Sequence, residues 1–178
     1  VRLLPDVAGK KELYTGDGVF STATLKMGRG NSGKLVTEVK KAMLKAAPPC
    51  ELAIVDGSPG IGCPVIASVN GMDLVLVVAE PSGSGISDLK RLCATAATLQ
   101  VQLAVCVNKY DVSPQHTERI ETFCRQQGIA FVGKIPFDPM AVRAVNEGTT
   151  VVDIDCPAGR AVREIFAKLT ALLTERSI

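Results

Sequence analysis

Asn108, Lys109, Tyr110 and Asp111 directly follow an apolar run, and their types and spacing could bind a purine base. At the carboxyl end of a buried parallel strand, an Asn side chain can pair with the edge of the base. In an N-K-x-D pattern, the Asp can also bond the ring N1 and the exocyclic amine of guanine. A turn that closes a strand has a similar composition, but it does not explain this position. The segment predicts a base-binding loop, and GTP is one alternative ligand.

Asp56 ends a second apolar run and is followed by the loop Gly57, Ser58, Pro59 and Gly60. A carboxylate in this position can hold Mg²⁺ through water, and the glycines let backbone N–H groups approach a γ-phosphate. Nucleoside triphosphatases build their metal-side aspartate and switch loop in this way, although an Asp-capped turn is the alternative. The GTPase signature D-x-x-G is incomplete, because the third residue after Asp56 is Pro59.

Residues 28–34, GRGNSGK, satisfy the G-x-x-x-x-G-K part of a phosphate-binding loop. The full pattern places Ser or Thr after the lysine to ligate Mg²⁺, and this chain has Leu35 there. The preceding segment, GVFSTATLKMG, alternates polar and apolar residues, which predicts an edge or hairpin strand rather than a buried parallel one. We therefore predict a glycine-rich turn that leads into a helix and holds no phosphate.

The alternation of apolar and amphipathic segments along the chain predicts the strands and helices that position these candidate residues. Short, nearly continuous apolar runs predict strands buried on both faces, at residues 52–55, 74–79, 103–107 and 130–132. Amphipathic stretches predict helices at residues 34–45, 65–69, 86–99, 114–127, 139–147 and 159–174. The alternation predicts an α/β fold, a mostly parallel sheet with helices on both faces. Asp56, Asn108 and Pro136 should then converge at the carboxyl edge of the sheet.

Composition narrows the class of protein. The chain has 178 residues, 47% of them hydrophobic, and a net charge of +2 from 20 basic and 18 acidic residues. This balance gives no broad basic field for nucleic acid and no polybasic membrane anchor. No stretch approaches the roughly 20 apolar residues of a membrane span. The six cysteines form no C-x-x-C pair, so a zinc site is not indicated and a reducing cytoplasm is expected.

Four segments together resemble the CobQ/CobB/MinD/ParA group of deviant-Walker P-loop ATPases, in particular the subgroup with an inserted ferredoxin domain. They are GNSGKLV, IVDGSPGIGCPVIASVNGMDLVLVVAEP, VNKYD and KIPFDPMAVRAVNEG. In that group a K-G-G-x-G-K-T segment and the cysteine-rich insert come first. Neither is present here, so the chain resembles the C-terminal part, with the N-terminal strand and phosphate loop expected to be missing. Residues 1–33 are then a glycine-rich lead-in or the end of an insert, and residues 34–178 the nucleotide-binding domain.

The resemblance also implies roles for individual residues. It makes Asp56 the Walker B aspartate, which holds Mg²⁺ through water, and residues 57–60 the switch loop that senses the γ-phosphate. It assigns the nucleotide base to two loops, formed by Asn108, Lys109 and Asp111 and by Pro136, Phe137 and Asp138. No chemistry is assigned to the glycine-rich segment 80–85.

Cys63 follows Asp56 by seven residues (63 − 56 = 7). The nitrogenase iron protein, a relative on this fold, has a cysteine at the same distance that ligates a cluster shared across a dimer. Cys63 is thus a candidate cluster ligand, and a small buried thiol at a helix start is the alternative. His116, the only histidine, is expected to be solvated rather than a ligand or base.

The resemblance implies an ATPase that binds Mg²⁺-ATP and dimerises over the nucleotides, as a homodimer or with a tandem paralogue. Hydrolysis would be coupled to an iron–sulfur or metallocofactor protein, and the complete protein could itself carry an iron–sulfur cluster. Because the phosphate-loop lysines are missing, this chain alone is expected to be inactive. Two alternatives remain open: a non-catalytic interaction module of the same fold, and a GTP-binding protein that uses NKYD.

Overall fold

The computed structural model describes residues 7–28 and 30–175. These form two compact units, the first ending at Asn70 and the second beginning at Gly71. In the first unit, strands β1 (Gly9–Thr15) and β2 (Val19–Leu25) pair as an antiparallel hairpin, as expected from the alternation in β2. Helix α1 (Ser32–Ala46) packs against β2 and against the short helix α2 (Cys63–Val69).

Lys40 joins the two helices of the first unit. Its Nζ donates hydrogen bonds to the carbonyl oxygens of Ala67 (3.0 Å), Ser68 (3.0 Å) and Asn70 (2.7 Å) at the end of α2. The last carbonyls of a helix have no partner within the helix, and a lysine at that end also suits the helix dipole. Partial burial lowers the pKa of the Lys40 ammonium from its ordinary value. At the other end of α1, Gly33 packs directly on the backbone of Cys63.

The second unit contains a parallel sheet with the strand order β3-β4-β5. Its strands are β3 (Leu74–Ala79), β4 (Gln102–Asn108) and β5 (Ala130–Ile135). Its helices are α3 (Gly83–Leu99), α4 (Pro114–Gln127), α5 (Pro139–Asn146) and α6 (Pro157–Thr174), with short 3-10 turns at Tyr110–Val112 and Val151–Asp153. Each strand thus returns through a helix to its parallel neighbour.

The core lies on both sides of β4. Successive side chains of a strand point to opposite faces, so Val105 and Val107 pack in a cluster with residues of α3 and α4. Ala104 and Cys106 pack in a second cluster with Ile165 of α6. Helices therefore cover both faces of the sheet, and the predicted fold class is confirmed.

Most of the predicted elements are present, but the strand predicted at residues 52–55 is wrong. These residues belong to the described chain and form neither a strand nor a helix. The side chains of Leu52 and Ile54 are 43% and 73% exposed. A strand requires a neighbour for its backbone hydrogen bonds, and the hairpin strands of this unit pair with each other. An apolar, β-branched run is therefore not sufficient to form a strand here.

The helices described by the structure include none that is both long enough and apolar enough to cross a membrane.

Gly133 lets α6 approach the sheet. The pairing of β4 with β5 shifts between Val105, which is opposite Phe131, and Cys106, which is opposite Gly133. A Cβ atom on Gly133 would lie 2.7 Å from Cγ1 of Ile165, well inside van der Waals contact. Position 133 therefore excludes any side chain as long as Ile165 stays in place.

We predict that Gly133→Ala destabilises the protein by about 1–3 kcal/mol, because the added methyl group overpacks this interface. Denaturant unfolding measures the effect. Gly83→Ala is the control, because a Cβ there meets no atom within 4 Å. In an Ile165→Ala background, Gly133→Ala should cost less; an equal cost in both backgrounds would contradict this account.

Candidate functional site

The two predicted base-binding loops lie at one edge of the sheet in the second unit. Strand β4 ends at Asn108, which is paired with Ile135 at the end of β5. Pro136 follows immediately, so the structure brings Asn108 and the second loop together, as predicted. This is the edge at which open α/β sheets bind ligands.

The side chains and backbone of the NKYD loop are held by neighbouring elements. Lys109 has a left-handed backbone (φ 54°), and its Nζ lies 3.3 Å from Oε1 of Glu80, the residue after β3. The Tyr110 carbonyl accepts a hydrogen bond from Thr117 Oγ1 at 2.8 Å. Asp111 Oδ1 accepts one from the Phe137 backbone N–H at 2.8 Å.

Asn108 differs from these neighbours. Its side-chain amide makes no hydrogen bond to any residue that the structure describes, and the residue is only partly buried. An amide offers one acceptor oxygen and two donor hydrogens. Asn108 therefore presents free hydrogen-bonding groups at the carboxyl end of the central strand.

Asp138 fixes the second loop. Its Oδ1 accepts from the Met140 N–H of α5 at 2.9 Å, and its Oδ2 accepts from the Ala158 N–H of α6 at 3.1 Å. These two bonds hold the pKa of the Asp138 carboxyl below its ordinary value, and the bond from Ala158 has the larger effect. Asp138 thus caps two helices with one carboxylate, while the neighbouring Phe137 ring is 53% exposed.

Sequence reasoning missed the contribution of residues 80–85. Glu80 pairs with Lys109, and Ser82 Oγ caps α3 by accepting from the Gly85 N–H at 3.0 Å. A signal for Glu80 was present, because a carboxylate at the end of a buried strand sits at the same edge as Asn108. His116 is also more engaged than expected: it is partly buried, and its Nδ1 lies 2.7 Å from Ser113 Oγ.

The metal-side residues predicted from sequence belong to the first unit. Asp56 is exposed and makes no hydrogen bond to the described residues. The loop after it contains Gly60 in the left-handed region (φ 91°), and a Cβ on Gly57 would contact Ser68 at 3.7 Å. Asn108 belongs to the second unit, so the predicted convergence of Asp56 with Asn108 stays a prediction.

The glycine–lysine segment leads into α1, as predicted. Helix α1 begins at Ser32, after Gly28 (φ 77°) and Asn31 (φ 72°), both in the left-handed region. Lys34 is exposed in the first turn. Arg29 lies outside the described residues, and the expectation that the segment holds no phosphate stays a prediction.

Cys63 is exposed at the first position of α2, so the alternative that it is a buried thiol is wrong. No group of three or more His, Cys, Asp or Glu side chains in the described part of the chain could hold a metal ion. Iron–sulfur clusters are typically held by four cysteine thiolates. The described residues of one chain do not fit a cluster, and a role for Cys63 in one shared with a second chain stays a prediction.

Known proteins resemble the chain in both sequence and structure. It is 28% identical over 145 residues to an uncharacterised protein of Methanocaldococcus jannaschii, covering 82% of this chain and 48% of that protein. It is 33% identical over 126 residues to an uncharacterised ATP-binding protein of the same organism, covering 67% and 46%. It is 30% identical over 158 residues to the iron–sulfur cluster carrier protein of Pyrococcus furiosus, covering 80% and 54%. The chain spans about half the length of the curated relatives it matches.

Two solved structures share the fold. The MinD cell division protein of Aquifex aeolicus matches with a TM-score of 0.62 and 22% identity, over 79% of this chain and 61% of that one. The cell division ATPase MinD of Pyrococcus furiosus matches with a TM-score of 0.63 and 16% identity, over 79% and 59%. The chain has a MinD-like fold, and in sequence it is similar to the ATP-binding protein and the iron–sulfur cluster carrier protein. The predicted resemblance is confirmed, while the ferredoxin-insert subgroup of MinD-like ATPases stays a prediction. No family model matches the chain.

We predict that Asp138→Asn lowers the melting temperature at pH 7. A carboxyl whose pKa is lowered by folding stabilises the folded state above its ordinary pKa, and this contribution is lost as the pH falls through the lowered value. The difference from the unaltered protein should therefore shrink below about pH 4. Asp88→Asn, at an exposed position of α3, is the control. A difference that is the same at pH 3 and pH 7 would contradict the assignment.

Four of the six cysteines should separate into two classes in alkylation. Burial raises the pKa of the Cys106 and Cys124 thiols to about 11, whereas Cys50 and Cys63 are exposed. Because the thiolate is the reactive form, iodoacetamide at pH 8 should label Cys50 and Cys63 at least about 100-fold faster than Cys106 and Cys124. Mass spectrometry identifies the sites, and Cys63→Ser should remove one fast site. Rapid labelling of Cys106 in the folded protein would disprove this.

Proposed function

We propose that this chain is the nucleotide-binding portion of a MinD-like ATPase and that it binds Mg²⁺-ATP. A relative named ATP-binding protein supports ATP as the nucleotide. A relative named iron–sulfur cluster carrier protein suggests a role in handling iron–sulfur clusters. The MinD-like fold supplies a sheet edge of the kind at which nucleotides bind.

The observation that carries the proposal is the free amide of Asn108. Lys109, Tyr110 and Asp111 are all anchored, whereas Asn108 keeps its donor and acceptor available at the carboxyl end of β4. The edge of adenine presents an exocyclic amine donor beside a ring-nitrogen acceptor, a pair that one amide can match. Asn108 would thus read the base, and the loop of Pro136 and Phe137 would close over it.

Asp56 suits a hydrated magnesium ion. It is an exposed carboxylate without a hydrogen bond to the described residues, and Mg²⁺ in nucleotide sites keeps several waters while binding one or two carboxylates. When bound, the ion would neutralise charge that develops on the phosphates. The backbone of residues 57–60 would follow the γ-phosphate, because glycine at position 60 permits the left-handed conformation.

We further propose that the whole protein couples ATP hydrolysis to an iron–sulfur or metallocofactor protein. It would work in the cytoplasm, as a homodimer or with a tandem paralogue. The name of the Pyrococcus furiosus relative supports a cluster as cargo.

GTP binding through NKYD is less well supported. A guanine reader would direct both carboxylate oxygens of Asp111 at the ring N1–H and the exocyclic amine. Here Oδ1 accepts from the Phe137 N–H, so the second loop holds the carboxylate in one orientation and a guanine would have to fit that orientation. A non-catalytic interaction module is the other alternative, and nucleotide titration separates it from the ATPase.

We predict that the 178-residue chain binds Mg²⁺-ATP weakly and hydrolyses it at the background rate, because most affinity comes from a phosphate loop and its lysine. Isothermal titration calorimetry should show that Asn108→Ala weakens ATP binding about tenfold, the loss expected for one good hydrogen-bonded contact. Lys34→Ala should change it less than twofold.

Asn146→Ala, at an exposed position that ends α5, is the matched control. Micromolar binding that is lost in Lys34→Ala would overturn the assignment of residues 28–34. Binding that is unchanged in Asn108→Ala would overturn the base-reading role, and no binding even by the whole protein would favour the interaction module.

A further inference from the structure

Asp111 links the two loops of the candidate base site. It lies in the 3-10 turn Tyr110–Val112 after β4, and its Oδ1 bonds the N–H of Phe137, 26 residues later in the loop after β5. This bond joins a side chain of one loop directly to the backbone of the other. The space between the loops at the sheet edge therefore depends on it.

Both ends of this bond are held by the fold. On the side of Asp111, the turn is fixed because Thr117 Oγ1 donates to the Tyr110 carbonyl, and Thr117 is buried. On the side of Phe137, the next residue is Asp138, which caps α5 and α6. Because both segments are anchored, this hydrogen bond fixes the distance between the loop after β4 and the loop after β5.

We propose that Asp111 is a positioning residue that sets the spacing of the two base-binding loops and thereby makes the site select adenine over guanine. This inference rests on the proposed nucleotide-binding function. It gives the Asp of NKYD a role opposite to the one its motif suggests, because the carboxylate supports the base slot instead of contacting the base.

The selectivity follows from the orientation in which the bond to Phe137 holds the Asp111 carboxylate. Guanine presents two adjacent donors, which one carboxylate accepts best with both of its oxygens. At Asp111 the bond from the Phe137 N–H fixes the orientation of the carboxylate, so guanine could engage both oxygens only in that orientation or by straining the bond that maintains the loop. Adenine needs no carboxylate, because the Asn108 amide supplies a donor and an acceptor for its edge.

The test compares Asp111→Ala, Asp111→Asn and the control Asp88→Ala in the full chain. Asn keeps a side-chain oxygen that can accept from Phe137, whereas Ala does not. Hydrogen exchange of the Phe137 amide, measured by NMR, reports the link without any nucleotide. Calorimetry with Mg²⁺-ATP, Mg²⁺-GTP and Mg²⁺-XTP, in which xanthine replaces guanine, reports selectivity.

We expect Asp111→Ala to accelerate Phe137 exchange at least tenfold, weaken ATP about tenfold and reduce the preference for ATP over GTP. Asp111→Asn should retain ATP affinity within about threefold and should not gain XTP binding. A gain of XTP binding would identify Asp111 as a base reader, because Asn could donate to the xanthine carbonyl, and would overturn the proposal.

The outcomes separate this inference from the proposed function. Unchanged Phe137 exchange in Asp111→Ala would overturn the positioning role even if ATP binds well. Absence of nucleotide binding both by the unaltered chain and by the whole protein would overturn the selectivity together with the proposed function. Equal ATP loss in Asp111→Asn and Asp111→Ala would also contradict the proposal, because the conservative variant must rescue a positioning role.

Discussion

The burial of β4 on both faces is the constraint on which the second unit depends. Ala104, Val105 and Val107 are fully buried and Cys106 is 1% exposed, so two layers of helices must cover this one strand. A strand buried on both faces is central in a parallel sheet. Its neighbouring strands run in the same direction, so the carboxyl ends of all three lie at one edge of the sheet. The position of Asn108 follows from this burial, because it is the first residue of the strand end that escapes the core.

The second unit could be predicted well from the sequence because its signals are local. The run Leu74–Ala79 is continuously apolar and forms β3 with the predicted bounds. Helix α4 (Pro114–Gln127) also has the predicted bounds, since Pro114 suits the first turn and Gly128 adopts the left-handed conformation that ends a helix. The order of strands at the edge then placed Asn108 beside Pro136.

The remaining features could not be predicted because they depend on partners distant in the sequence. An apolar run at residues 52–55 predicts a strand, but whether it pairs is decided by a neighbour that no local pattern shows. The bond from Asp111 to Phe137 spans 26 residues, and that from Asp138 to Ala158 spans 20. The motif therefore indicated residues that lie together at one edge of the sheet, but it did not indicate the bond between Asp111 and Phe137.

The two units differ in how firmly they hold the residues that the sequence predicts to bind a nucleotide. In the second, the base loops are tied to buried strands and to the ends of α5 and α6. In the first, α1 has no buried residue, and the segment with Asp56 has no regular structure among its described residues. Segments with few buried contacts open at low free energy, and elements that respond to a ligand are drawn from them. The proposed nucleotide-binding function would use this difference, because in a nucleotide switch the base does not change on hydrolysis whereas the γ-phosphate is lost.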